Sequence, residues 1–123
     1  MKRCLVVDDS SVIRKVARHI LESMRYEVTE AENGREAFDA CQSATPPDVV
    51  LLDWHLPVMS AMEFLSALRL AHCARRPFIV YCTTENDPSD IARAFSAGAD
   101  DYLMKPFDRA SLIDKFAAIA VAA

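Results

Sequence analysis

The sequence predicts an α/β domain in which a parallel sheet lies between two layers of helices. Five short apolar runs alternate with five segments of helical periodicity along the 123 residues. The central run, residues 49–52, is apolar at every position, which is typical of a strand buried on both faces of a parallel sheet. No repeat, linker or low-complexity segment interrupts the alternation. Because such units wind by right-handed crossovers, we expect a doubly wound five-stranded parallel sheet with five helices.

The spacing of apolar residues changes between the first predicted strand and the first predicted helix. Residues 3–7 form an apolar run that ends at Asp8 and Asp9, and Ser10 and Ser11 then open a helix. Apolar residues recur in this helix every three or four positions, as they do where one face is buried. We expect that face to comprise Val12, Ile13, Val16, Ala17, Ile20, Leu21 and Met24.

The middle of the chain carries clear helix starts. A strand is predicted over residues 26–31 and a helix over residues 33–41. Capping boxes, in which a polar N-cap is followed three residues later by Glu or Gln, mark the starts of this helix and the next. The two pairs are Asn33 with Glu36 and Ser60 with Glu63. Met59 and Phe64 flank the second box as a hydrophobic staple, which makes its helix start well defined.

The last third of the chain repeats the pattern twice. Residues 77–82 and 101–104 are predicted strands, each followed by a helix. An N-cap, an N1 proline and a terminal glycine are the usual signals at helix ends. Here those signals are Asp87 and Pro88 before the fourth helix, Gly98 after it, and Asp108 before the fifth. The apolar stripes are Ile91, Ala94 and Phe95, and then Leu112, Ile113, Phe116 and Ile119.

Composition points to one globular domain spanning residues 1–123. Hydrophobic residues make up 52% of the chain and charged residues 26%, which is close to the average of globular proteins. No apolar run is long enough to span a membrane, and the acids at positions 8 and 9 interrupt any signal peptide, so we expect a cytoplasmic protein. The net charge of −4 argues against direct contact with nucleic acid, which needs a basic face. The cysteines lack metal-ligand spacing and are expected to be reduced, apolar side chains: Cys4, Cys41, Cys73 and Cys82.

Polar and charged side chains follow four of the five predicted strands. In chain order these are Asp8 and Asp9, then Asp53, then Thr83 and Thr84, and finally Lys105. The carboxyl ends of parallel strands meet at one edge of the sheet, where α/β proteins bind ligands. Clustered carboxylates repel one another, and a divalent cation with oxygen ligands relieves that repulsion, so the acids predict a Mg²⁺ site. Thr and Lys would complete a cage for a phosphoryl group. The same repulsion predicts that Asp8→Asn or Asp9→Asn stabilises the metal-free fold.

These residues, in this order and spacing, resemble the receiver domain of bacterial two-component response regulators, and most closely its stand-alone chemotaxis-type members. The resemblance covers essentially the whole chain. It implies the flavodoxin-like strand order 2-1-3-4-5 and a cis peptide bond between Lys105 and Pro106. The matching residues are the acidic pair Asp8 and Asp9, the phosphoacceptor Asp53, the switch hydroxyl Thr83 with its neighbour Thr84, the switch aromatic Tyr102, and the motif Lys105, Pro106, Phe107.

The resemblance also implies a mechanism and partners. Asp53 would take a phosphoryl group from a phosphohistidine on a histidine kinase or phosphotransfer protein. Mg²⁺, for which Mn²⁺ could substitute, would be bound by Asp9, Asp53 and the carbonyl of His55, with Asp8 acting through water. A surface of the fourth helix, fifth strand and fifth helix would then signal to a downstream protein, through a monomer or weak dimer. The side chains expected to change a partner's affinity on that surface are Ile91, Tyr102 and Phe116 or their neighbours.

Two departures and two alternatives accompany this interpretation. Leu56 stands where Met is usual before the proline, and Ser60 with Ala61 stands where an acid and a glycine are common. His55 is an unusual neighbour of the site, and it either contributes only its backbone or tunes the rate. A flavodoxin-like redox protein would need backbone donors rather than two acids in the first loop. A hydrolase with an aspartyl nucleophile would need a cap over its substrate.

Overall fold

A five-stranded parallel sheet forms the centre of the computed structural model, which describes residues 2–71, 76–84 and 88–122. The strands are β1 Arg3–Val7, β2 Glu27–Ala31, β3 Val49–Asp53, β4 Phe78–Thr83 and β5 Asp101–Met104. The helices are α1 Ser11–Ser23, α2 Gly34–Cys41, α3 Ala61–Leu70, α4 Pro88–Ala97 and α5 Arg109–Ala122. The order across the sheet is β2-β1-β3-β4-β5 and every pairing is parallel. The predicted fold class and strand order are therefore confirmed.

Two apolar layers hold the helices against the sheet. One layer joins α2, α3 and α4 to one face and contains Phe64 and Tyr81. The other joins α1 and α5 to the opposite face and contains Leu21 and Phe116. Every residue of β3 is buried, because this central strand has neighbouring strands on both sides and helices on both faces. No helix in the described part of the chain is long and apolar enough to cross a membrane.

The predicted helix starts agree with the structure in most details. Ser60 and Glu63 form the complete capping box, with hydrogen bonds of 3.1 Å in both directions. Asn33 caps α2, but the Glu36 side chain accepts from the backbone of Glu32 rather than from that of Asn33. The expected cap Asp87 lies outside the described residues, as does Cys73.

The buried face of α1 is narrower than the sequence predicts. Only Ala17, Ile20 and Leu21 are fully buried, whereas Val12 is 68% exposed and Val16 is 50% exposed. The apolar stripe of α1 is wider than the surface that the sheet and α5 cover. The uncovered valines border a groove whose opposite wall includes Pro106 and Phe107, so the prediction that they are buried was wrong.

Strand register places the functional side chains at one edge of the sheet. Val7, the last residue of β1, is level with Leu52 of β3, so Asp8 and Asp53 both follow at the carboxyl edge. Asp53 is itself level with Cys82 of β4. Thr83 and Lys105 extend the same edge, where the Lys105 amide donates to the Thr83 carbonyl at 2.8 Å.

Candidate functional site

An ammonium group bridges two buried carboxylates at the centre of this edge. Lys105 Nζ lies 2.6 Å from Asp8 Oδ2 and 3.1 Å from Asp53 Oδ1. Asp8 and Asp53 are buried, and the Lys105 side chain is only 13% exposed. A hydrogen bond between charged groups is stronger away from water, so the three side chains form a fixed unit. The peptide bond between Lys105 and Pro106 is cis, as the resemblance implies.

Asp8 is held at every polar atom. Its amide donates to the Ala31 carbonyl at 3.1 Å, and its carbonyl accepts from Arg14 Nη1 at 2.7 Å. Its Oδ1 accepts from the Ser10 amide at 2.9 Å, and its Oδ2 accepts from Lys105. The loop after β1 is therefore fixed by contacts from three other elements.

Asp9 differs from its neighbour because its side chain is exposed to solvent. One carboxylate oxygen each from Asp8, Asp9 and Asp53 lies within 4.8 Å of the other two. An oxygen cluster of this size suits a hard divalent cation, and Mg²⁺ typically binds one or two carboxylates while retaining water. Asp8 and Asp53 both accept hydrogen bonds from the protein, whereas the Asp9 carboxylate is exposed, so Asp9 is the most available direct ligand. The donor set therefore fits Mg²⁺.

Charge and burial act in opposite directions on the two central groups. Burial raises the pKa of Asp53, the nearby charge of Asp8 raises it further, and Lys105 together with a hydrogen bond from the His55 backbone lowers it in part. Burial alone lowers the pKa of Lys105, but the hydrogen bond to Asp8 and the charge of Asp53 outweigh burial and raise it overall. The charged form of Asp53 is therefore disfavoured at this site, whereas Lys105 remains firmly charged.

The two threonines that follow β4 occupy different environments. Thr83 is buried at the end of the strand, whereas Thr84 is exposed beside Lys105. Thr83 directly follows Cys82, which is level with Asp53 across the sheet. The structure thus brings Thr83 and Thr84 to the same edge as the acids, as the sequence predicts.

Tyr102 lies on an aromatic cluster rather than at the acids themselves. Its ring is half-buried, and its centroid is 6.1 Å from that of Tyr81 and 6.3 Å from that of Phe95. The Lys115 ammonium lies 5.6 Å above the Tyr102 ring. Tyr81 in turn packs at 5.2 Å against Trp54, the residue after Asp53. The cluster therefore connects the acid site with the surface of α4, β5 and α5.

Phe116 does not lie on that surface. Its side chain is fully buried and its ring meets Tyr26 edge to face at 5.5 Å. The prediction that it reports to a partner was wrong, because this face of α5 packs onto the sheet and α1. Ile91 and Tyr102 are half-buried at the edge of the opposite core, so both can still contact a partner protein.

The loop after Asp53 explains how the chain tolerates alanine at position 61. Ala61 is the buried first residue of α3, directly after the Ser60 cap, and a helical residue has no need for glycine. The left-handed conformation falls instead on Val58, with φ of +67°, which is unfavourable for a β-branched residue. Gly34 allows this loop to approach closely, since a Cβ there would collide with the Met59 carbonyl.

Sequence reasoning missed Arg14, which contacts the Asp8 carbonyl, and Tyr81, which links Trp54 to Tyr102. The sequence offers one signal for Arg14: it is a cation close to the start of a helix, where the helix dipole opposes a positive charge. Burial raises the pKa of Cys82 to about 12, and no disulfide bond joins Cys4, Cys41 and Cys82, the cysteines in the described part of the chain.

Comparison with known proteins gives a consistent result. The family model described as "Response regulator receiver domain" matches residues 4–117. Chemotaxis protein CheY1 of Helicobacter pylori strain J99 is 32% identical over 114 residues, which cover 92% of each chain. The structure of chemotaxis response regulator CheY4 of Vibrio cholerae aligns with a TM-score of 0.89 at 34% identity, over 97% of this chain and 98% of that one. The receiver domain of sensor histidine kinase PA1611 from Pseudomonas aeruginosa PAO1, with a magnesium ion coordinated in its active site cleft, aligns with a TM-score of 0.83 at 30% identity over 95% of both chains.

Proposed function

Because this chain belongs to the response regulator receiver domains, which are signalling switches of two-component systems, we propose that Asp53 is its phosphoacceptor. The donor is a phosphohistidine on a histidine kinase or a histidine phosphotransfer protein. The observation that carries the proposal is the Lys105 ammonium, which bridges Asp8 and Asp53 beside a three-carboxylate cluster. That arrangement supplies an oxygen nucleophile, a cation for the transferred group and ligands for a metal.

In the transfer, an Asp53 carboxylate oxygen attacks phosphorus and forms a P–O bond while the P–N bond to the donor histidine breaks. The bonding electrons leave with the imidazole. Such transfers pass through a loose transition state, so catalysis consists mainly of positioning and charge neutralisation. Lys105 is already 3.1 Å from the attacking group and pairs with the phosphoryl oxygens. Because the pKa of Asp53 is raised, the positive charge of a bound Mg²⁺ would also stabilise the reactive carboxylate form of Asp53.

Asp9, Asp53 and the His55 carbonyl would hold Mg²⁺, with Asp8 acting through water. When bound, the ion supplies positive charge that neutralises the phosphoryl oxygens. Asp9 is suited to direct ligation because its carboxylate is exposed, and Asp8 to an indirect role because both its oxygens accept hydrogen bonds from the protein. Mn²⁺, with similar oxygen preferences, is expected to substitute.

An apolar groove beside the site favours a protein as donor. The groove has a volume of about 340 Å³ and borders Lys105 and Thr84. Its apolar walls are formed by Val12, Ile13, Val16, Pro106 and Phe107. Exposed apolar surface next to a reactive group is typical of a protein contact, so we place the donor protein against α1 and the loop after β5.

The output is a change at the surface of α4, β5 and α5. Thr83 moves to hydrogen-bond the phosphoryl group, and Tyr102 turns into the space that this movement vacates. The rings of Tyr81 and Phe95, which pack on Tyr102, transmit the turn to α4. A downstream protein then binds the altered surface with a coupling free energy of about 1 to 3 kcal/mol, typical of allosteric coupling. A cytoplasmic location, a single domain over residues 1–123, no direct contact with nucleic acid and a monomer or weak dimer stay predictions.

The test is phosphorylation by acetyl phosphate with Mg²⁺, followed by mass spectrometry of the intact protein and its peptides. We expect one phosphoryl group on the peptide that contains Asp53 and none in Asp53→Asn. Asp39→Asn, an exposed acid on α2 with an Arg35 partner, is the matched control and should be labelled normally. Undiminished labelling of Asp53→Asn would reject Asp53 as the acceptor. In a separate experiment, phosphoryl transfer from phosphorylated histidine kinases of the source organism would identify the donor.

A further inference from the structure

An ion-paired network on α1 and β2 ends at the backbone of the acidic loop. Arg14 Nε lies 3.0 Å from Glu30 Oε1, and Arg14 Nη1 donates to the Asp8 carbonyl at 2.7 Å. Arg18 binds the other Glu30 oxygen at 2.6 Å. Both arginines lower the pKa of Glu30, Arg18 most strongly, so the carboxylate remains charged. The two arginines share one partner, but Arg14 also contacts the loop that carries Asp8 and Asp9.

The placement of Arg14 has no local benefit. It is the fourth residue of α1, whose first turn contains no acid, and a cation near a helix N-terminus is unfavourable because the helix dipole opposes it. Its side chain is only 15% exposed, which adds a desolvation cost for a charged group. A residue that breaks local preferences in this way usually serves a tertiary contact.

We propose that Arg14 is a positioning residue for the metal site, fixing the Asp8 carbonyl and thereby the direction of the Asp9 carboxylate. The inference rests on the proposed function of the acid cluster. The Asp8 carbonyl belongs to the peptide unit that leads into Asp9, and a planar peptide transmits its orientation to the next residue. The exposed Asp9 side chain has no hydrogen bond of its own to another described residue, so its direction depends on its backbone. Glu30 acts one step further out, by orienting the guanidinium.

The guanidinium geometry is essential to this role. Arg presents several N–H donors in a rigid plane, which allows Nε and Nη1 to serve Glu30 and the Asp8 carbonyl at once. Lys carries the same charge on one flexible point, so it can satisfy one of these partners well but not both. Supporting groups of this kind typically change metal affinity about tenfold or more when they are removed.

A charge effect would have the opposite sign. If Arg14 acted only through its positive charge near the acids, its removal would reduce repulsion of Mg²⁺ and tighten metal binding. If Arg14 positions the loop, its removal weakens binding. Arg18→Gln is the matched control, because it removes the same charge and the same kind of Glu30 contact from the same helix but touches no part of the acidic loop.

The experiment is a Mg²⁺ titration followed by the fluorescence of Trp54, the single tryptophan of the chain. The stabilisation by Mg²⁺ against urea is the second readout. We expect the Mg²⁺ dissociation constant to rise about tenfold in Arg14→Gln, to rise by a smaller factor in Arg14→Lys, and to stay at or slightly below the wild-type value in Arg18→Gln. Labelling by acetyl phosphate should slow in Arg14→Gln at limiting Mg²⁺ and recover at saturating Mg²⁺.

Equal changes in Arg14→Gln and Arg18→Gln, or unchanged or tighter Mg²⁺ binding in Arg14→Gln, would overturn the inference and leave the proposed function intact. Should Arg14→Gln fail to fold, Arg14→Lys keeps the charge and decides by the same comparison: wild-type affinity in that variant would overturn the positioning role. Absence of Mg²⁺ binding by both readouts in the wild type would instead reject the proposed metal site, and the inference with it.

Discussion

Asp53→Asn should stabilise the metal-free protein, although it removes a buried ion pair. The Asp53 carboxylate attracts Lys105 at 3.1 Å, and one of its oxygens lies within 4.8 Å of an oxygen of Asp8 and of Asp9, which it repels. At an effective dielectric constant of about 20, the attraction amounts to about 5 kcal/mol and each repulsion to about 3.5 kcal/mol or more before solvent screening. The two repulsions together exceed the attraction, and burial of Asp53 acts in the same direction, while solvent screens the exposed Asp9. We expect a net gain of about 1 kcal/mol.

Substitution of Asp8 is expected to affect stability differently from substitution of Asp53. Asparagine at position 53 leaves Lys105 paired with Asp8 at 2.6 Å, so no buried charge loses its partner. Asp8→Asn also leaves Lys105 one partner, Asp53, but it removes the shorter and therefore stronger of the two ion pairs. The sequence-based expectation named Asp8→Asn or Asp9→Asn as the stabilising change. We now expect the gain from Asp53→Asn and none from Asp8→Asn, while the gain from Asp9→Asn stays a prediction.

Urea unfolding at neutral pH, followed by far-UV circular dichroism, measures the effect. A gain of about 1 kcal/mol moves the midpoint upward by roughly 0.5 M or more, given typical urea slopes. Mg²⁺ binds the native wild type preferentially and stabilises it, so saturating Mg²⁺ should reduce or reverse the advantage of Asp53→Asn. The control Asp39→Asn should change stability by less than about 0.5 kcal/mol, with no dependence on Mg²⁺.

The pH dependence provides an independent check with a defined sign. The pKa of Asp53 is raised above the ordinary value of 3.8, so the folded wild type binds this proton more readily than the unfolded chain. Its charged form therefore destabilises the fold at neutral pH, and that cost disappears as the pH falls through the folded-state pKa. The advantage of Asp53→Asn should shrink on acidification. A midpoint at or below that of wild type without Mg²⁺, or an advantage independent of pH, would refute the reasoning.

Two further predictions concern stability away from the acids. Val58→Gly should raise the free energy of unfolding, measured in urea, by about 0.5 to 1 kcal/mol, because glycine removes the cost of a left-handed β-branched residue but loses part of that gain to unfolded-state entropy. The control Val12→Gly, at an exposed helical position, should lower the free energy of unfolding by about 1 kcal/mol. Changes of the same sign at both positions would contradict the strain at Val58. Phe116→Ala should lower the free energy of unfolding by about 3 to 5 kcal/mol, as expected for a buried aromatic side chain. A loss below about 1 kcal/mol would contradict the burial of Phe116.

Local patterns determined most of the architecture. The apolar run before Asp53 predicted a central strand because only a strand covered on both faces is apolar at every position. Ser60 and Glu63 predicted the start of α3 because a capping box is a contact between residues three apart. The edge on which the acids, threonines and Lys105 meet followed from parallel alternation, since every strand then ends on the same side of the sheet.

Tertiary packing decided the rest. Adjacent acids received opposite environments, Asp8 buried on Lys105 and Asp9 exposed, because strand register and the Arg14 contact set the direction of the loop. The exposure of Val12 and the burial of Phe116 depended on how far α5 and the loop after β5 extend over the sheet. These outcomes join residues that are distant in the chain, such as Asp8 with Lys105, and no pattern within one element specifies which of its faces a distant element will cover.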